Sequence, residues 1–285
     1  MNTDSCPKPA KIILSDCPGG KQTISRPLWR TCLRGKCGRE VWYNTMIELK
    51  NVSYTVNDGD KEIDILKDIN LKIDDRFVAI TGPNGGGKST LAKLIAGIIE
   101  PEEGTILFDG QDITHASITD RANMGISYAF QQPVRFKGIT VMDLIKLAAG
   151  KDISVAGACE YLSEVGLCAR DYITREVNAS LSGGELKRIE IAMALARSTK
   201  LTVFDEPEAG IDLWSFHNLI EVFEKMHEKI KGSIMIISHQ ERILDIADKI
   251  VVISDGRVAA EGRKADILPE VLNGGTNCKF FEKRK

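Results

Sequence analysis

Two hydrophobic periods take turns along most of this chain. From Met46 to Val56, apolar and polar residues alternate as they do in a half-buried strand. Further strand patterns cover Ile65–Ile73, Arg76–Thr81, Gly104–Phe108, Leu201–Phe204, Ser233–Ser238 and Lys249–Ser254. Apolar residues at helical spacing mark Lys88–Ile99, Val141–Ala149, Ser154–Val165, Gly184–Ala196, Leu213–Lys231 and Gln240–Asp248. Strands alternate with helices at both ends, which predicts an α/β fold around a mainly parallel sheet. Between about 137 and 196 helices follow one another with no strand pattern, and that segment reads as a helical insertion. One domain is expected over 46–272, followed by a short tail, 273–285. Residues 1–45 show neither period and carry Pro7, Pro9, Pro18, Pro27 and Gly19-Gly20. They read as a disordered or wrongly assigned extension, with the biological chain starting at Met46.

Composition changes this picture little. At 285 residues and 43% apolar content a sizeable core is available. No apolar run reaches the roughly 20 residues of a membrane span, and no secretory leader is apparent, so a soluble, cytoplasmic protein is expected. The net charge of −2 divides unevenly, with a basic segment before Met46 and a mildly acidic body after it. An acidic body argues against general nucleic-acid binding. Four of the seven cysteines (Cys6, Cys17, Cys32 and Cys37) crowd the extension, but no C-x-x-C pair or common zinc spacing joins them.

The candidate chemistry begins at Gly82. Residues Gly82, Pro83, Asn84, Gly85, Gly86, Gly87, Lys88, Ser89 and Thr90 match G-x-x-x-x-G-K-[ST], preceded by an apolar strand pattern and followed by a helical one. Glycines let successive backbone N–H groups turn toward phosphate oxygens, and the helix N-terminus adds its dipole. Lys88 would reach the β- and γ-phosphates of a nucleoside triphosphate, and the Ser89 hydroxyl would ligate Mg²⁺. Downstream, Leu201-Thr-Val-Phe-Asp-Glu206 is a buried strand ending in two carboxylates. Asp205 would hold the metal, and Glu206 would orient or deprotonate the attacking water. In Leu181-Ser-Gly-Gly-Glu185, Ser182 can cap the next helix, and Gly183 and Gly184 allow a phosphate to approach its N–H groups.

Leu181-Ser-Gly-Gly-Glu185, lying between a phosphate loop and an Asp-Glu strand, resembles the signature of the ATP-binding-cassette (ABC) ATPases. The resemblance covers Met46 to about Leu272. It implies a P-loop NTPase fold with a mainly parallel sheet core, an antiparallel β subdomain and a helical insertion. It also implies ATP-dependent head-to-tail dimerisation, with Ser182, Gly183 and Gly184 of one subunit closing over ATP held by the other. Carried over residue by residue, it gives Tyr54 an adenine-stacking role. Gln131 would contact Mg²⁺ and the attacking water, with Gln132 one place away. Asp212 would organise the opposing site, and His239 would contact the γ-phosphate. The turn Ala209-Gly-Ile-Asp212 departs from the commoner Ser-Ala-Leu-Asp form.

Thr119 to Val134, Ser238 to Leu244 and Asp205 to Phe216 are similar to the SufC branch of that family. This similarity implies an ATPase working with SufB- and SufD-type scaffold proteins in iron–sulfur cluster assembly. A subunit driving a transmembrane permease is the alternative. Val134, Phe136 and Ile139 are expected at the partner contact, or packed within the helical insertion. Cassette ATPases acting on DNA or ribosomes carry tandem cassettes or a long arm, and the span from 90 to 181 is too short for one.

Overall fold

The computed structural model describes residues 45–59, 61–132, 135–178, 180–229 and 232–277. The extension up to residue 44, its cysteines, Val134 and the end of the tail lie outside them.

Strands β1 (Ile47–Asp58), β2 (Lys61–Ile73), β4 (Glu103–Phe108) and β5 (Gln111–Asp112) form an antiparallel sheet in the order β2-β1-β4-β5. A second, six-stranded sheet is built from β3 (Phe77–Thr81), β6 (Ile126–Ala129), β7 (Leu201–Asp205), β8 (Ser233–Ile237), β9 (Lys249–Ser254) and β10 (Arg257–Arg263). Its order is β10-β9-β3-β8-β7-β6, parallel throughout except for the antiparallel edge strand β10. Every residue of β3, β7 and β8 is buried, the expected state of central parallel strands covered on both faces. The two faces serve different cores. Phe77, Ala79, Phe204, Ile234 and Ile236 face one; Val78, Ile80, Val203, Met235 and Ile237 face the other.

The second core lies under the antiparallel sheet and includes α1 (Lys88–Ala96). The first is filled by α3 (Val141–Ala149), α4 (Val155–Glu164), α5 (Ala169–Tyr172), α6 (Gly183–Arg197) and α7 (Leu213–Lys229). The 137–196 segment carries α3 to α6, and it shares its core with the sheet instead of enclosing one of its own. Phe136 and Ile139 pack against that core.

Three helices and three strands were not anticipated. They are α2 (Ile118–Met124), α5, α9 (Lys264–Asn277), β5, β6 and β10. The helix α8 (Glu241–Ile246) is shorter than its pattern, and α1 stops at Gly97, whose φ of 77° closes it three residues early. In α2, Arg121 is wholly buried and donates to Leu94 O (2.5 Å), Ile95 O (3.0 Å), Thr114 O (2.9 Å) and Ala116 O (3.0 Å). Its guanidinium thus satisfies the last carbonyls of α1, where the helix dipole is negative.

Candidate functional site

The loop from β3 to α1 takes its shape from glycine. Gly82 has φ 137° and Gly87 φ 100°. A Cβ on Gly82 would sit 1.9 Å from Ile253 O of β9, and one on Gly87 2.6 Å from Leu66 Cδ2 of β2. Neither position admits a side chain. Asn84 and Gly85 form the exposed mouth, with Pro83 half-buried beside them and Gly86 buried beneath. Lys88 is almost completely buried and donates to Gly82 O (2.9 Å) and Pro83 O (2.8 Å). Burial pushes its pKa down, against the opposing pull of Glu206 and Asp205. Thr90 lies half-buried in the first turn of α1. Tyr54 of β1 pairs across the sheet with Leu66, the residue that packs on Gly87.

Ser89 and Asp205 meet although they are far apart in sequence. Ser89 Oγ donates to Asp205 Oδ1 at 2.9 Å, and Tyr128 Oη of β6 donates to Oδ2 at 2.7 Å. Two hard oxygens, a hydroxyl and a nearly buried carboxylate, make a donor pair suited to Mg²⁺.

Glu206 follows at the end of β7 with φ 45°, a left-handed conformation that costs a non-glycine residue about 1–3 kcal/mol. Its N–H is held by Ile237 O at 3.0 Å. This backbone turns the carboxylate between two other chain segments. Gln131 Nε2 donates to Glu206 Oε2 at 2.5 Å, and His239 Nε2 lies 3.8 Å from Oε1. It is Gln131, not Gln132, that makes this contact. Burial lowers the His239 pKa, with Lys88 acting in the same direction and Glu206 opposing them. Together these contacts gather Lys88, Ser89, Asp205, Glu206, Gln131 and His239 at the C-terminal ends of parallel strands, where ligands of open α/β sheets bind.

The Leu181–Glu185 segment stands apart. Ser182 caps α6 through a reciprocal box: Glu185 N donates to Ser182 Oγ (3.2 Å), and Ser182 N donates to Glu185 Oε2 (2.6 Å). Ser182 and Gly183 are exposed, and Gly184 is buried. A Cβ on Gly183 would lie 3.3 Å from Gly210 O, so this helix start adjoins the 209–212 turn, with Asp212 exposed just before α7. Among the described residues, no hydrogen bond joins residues 181–185 to the phosphate loop.

Three side chains near the site escaped sequence reasoning. Besides Tyr128, Lys187 of α6 is buried and donates to Phe130 O (2.5 Å) and Glu190 Oε2 (2.9 Å), tying α6 to the backbone just before Gln131. Glu208 accepts from Ser238 Oγ at 2.5 Å, linking the turn after Glu206 to the approach to His239. Burial raises the Glu208 pKa.

Comparison with known proteins agrees with this geometry. Residues 66–209 match the family model described as ABC transporter. An uncharacterized ABC transporter ATP-binding protein of Methanocaldococcus jannaschii, MJ0035, is 39% identical over 218 residues, covering 73% of this chain and 86% of that protein. The sulfate/thiosulfate import ATP-binding protein CysA of Synechocystis is 35% identical over 208 residues, which is 71% of this chain and only 57% of CysA. Among solved structures, the dimeric post-hydrolysis state of the ATP-binding cassette MJ0796 bound to ADP and Pi has a TM-score of 0.68 and 26% identity. It covers 76% of this chain and 98% of its own. The two relatives are named as transporter ATP-binding proteins, so the SufC-like expectation gains no support from them. The chain belongs to the ABC transporter ATPase family.

Proposed function

We propose that this chain is a Mg²⁺-dependent ATP hydrolase that closes as a head-to-tail dimer and moves a partner protein. The observation that carries this reading is the convergence of Gln131 and His239 on the Glu206 carboxylate, beside the Ser89–Asp205 pair. ATP phosphates would replace the Gly82 and Pro83 carbonyls as the partners of Lys88. Ser89 and Asp205 would hold magnesium, which when bound neutralises phosphate charge. Glu206 takes the proton as water oxygen bonds to the γ-phosphorus, and the bond to the β-phosphate bridging oxygen breaks to release ADP. Gln131 orients that carboxylate, and a neutral His239 can donate to a γ-phosphate oxygen. The exposed start of α6 gives a second copy a donor face for the same phosphate. Glu206→Gln should leave ATP binding intact, slow turnover by about 10²–10⁴-fold and trap an ATP-bound dimer, read by phosphate release and light scattering. Retained turnover would remove Glu206 from the role.

A membrane permease is the partner that the names of the relatives favour. Among the described residues no helix is long and apolar enough to cross a membrane, so membrane coupling would run through that partner. The second reading, a SufB/SufD-like scaffold in iron–sulfur cluster assembly, rests on the Thr119–Val134, Ser238–Leu244 and Asp205–Phe216 blocks. Arg121, inside the first block, is wholly buried on α1 carbonyls and cannot touch a partner. Affinity isolation separates the two: a multi-span membrane protein supports the first and a soluble scaffold the second.

A further inference from the structure

The edge strand β6 carries one side chain that belongs to two places. Tyr128 pairs with Val203 of β7, and its ring packs on the second core, the face of the sheet that α1 covers. Its hydroxyl ends on Asp205 Oδ2 at 2.7 Å. The ring is braced edge-on against Phe130, with centroids 4.9 Å apart, and the Phe130 carbonyl is itself held by Lys187. Ser89 occupies the other oxygen of the same carboxylate.

We propose that Tyr128 is a positioning residue for Asp205, fixing the carboxylate from the neighbouring edge strand so that its free lone pairs meet the metal in one orientation. The inference rests on the ATPase reading and deepens it. Asp205 is 4% exposed, so water cannot replace a missing donor on Oδ2 without rearrangement. Ser89 alone leaves the carboxylate able to rotate about its last bond; a second donor on the opposite oxygen removes that freedom. Partners that orient metal-binding carboxylates typically change metal affinity by about 10–100-fold when removed. Burial raises the phenol pKa, so the hydroxyl stays a donor across the working pH range.

The test uses the full chain with a non-hydrolysable ATP analogue and Mn²⁺ as the spectroscopic stand-in for Mg²⁺. Tyr128→Phe removes only the hydroxyl. We expect Mn²⁺ affinity in the nucleotide complex, read by electron paramagnetic resonance, to fall about tenfold. Binding of the analogue in chelator, without metal, should be unchanged. Equal Mn²⁺ affinity in variant and wild type would overturn the positioning role. So would a parallel loss of metal-free nucleotide binding, which marks a merely structural residue. If the wild type itself holds no Mn²⁺ with nucleotide, the ATPase reading fails, and the inference with it.

Discussion

His239 is a partly buried imidazole with Lys88 and Glu206 as its charged neighbours. Burial and the lysine both favour its neutral form, and the carboxylate does not reverse them. The unfolded chain therefore takes up a proton at a higher pH than the folded one. The stability this group contributes is present above its ordinary value of 6.5 and is lost as pH falls through the lower folded value. The expected outcome is a ring-proton NMR titration midpoint below 6.5 in the nucleotide-free protein, with the resonance assigned by its loss in His239→Ala. A midpoint at or above 6.5 would remove the neutral donor from the proposed chemistry. At this scale the sequence showed the strand, Gly-rich turn and helix around Gly82 and Lys88, because that order is a local pattern. Tyr128, Lys187 and Glu208 were invisible to it. Each acts through a hydrogen bond to a residue distant in sequence, with no spacing to announce it.

Among the elements, α6 starts where a reciprocal cap places it. Replacing Ser182 by Ala should cost about 1 kcal/mol in a urea melt, whereas Ser182→Gly should cost only a few tenths. Both variants lack the hydroxyl. A defect in ATP-driven dimerisation shared by the two therefore reports contact with a second copy and not a weakened helix. Caps also explain which boundaries were legible. The helix α3 matches its expected span to the residue because Thr140 starts it with its own capping box and Gly150, at φ 65°, ends it. By contrast, β6 has four residues, Ile-Ser-Tyr-Ala, too few to show a period, and its pairing with β7 is set by tertiary contact. The helix α9 was hidden by Pro269 inside it, and β10 by its mostly exposed face at a sheet edge.

For the molecule as a whole, strand–helix alternation was enough to anticipate a parallel sheet with a helical insertion. The division of the chain between two cores was not legible. A fully apolar strand shows no alternation, so neighbours such as Val203 and Phe204 look equivalent on paper. In the folded protein they point to opposite faces. Phe204 meets Phe223 edge-on, with centroids 5.2 Å apart, on the side of the helical segment; Val203 lies on the side of α1 and the antiparallel sheet. Truncating either one should therefore loosen a different half. In hydrogen-exchange mapping, Phe204→Ala should speed exchange across α3, α4 and α6, and Val203→Ala across α1 and β1. Under the proposed function, a single step along β7 thus separates damage on the side of the 82–90 loop from damage on the helical side, so adjacent lesions should yield opposite phenotypes: one poor at holding fuel, the other idling with its load uncoupled.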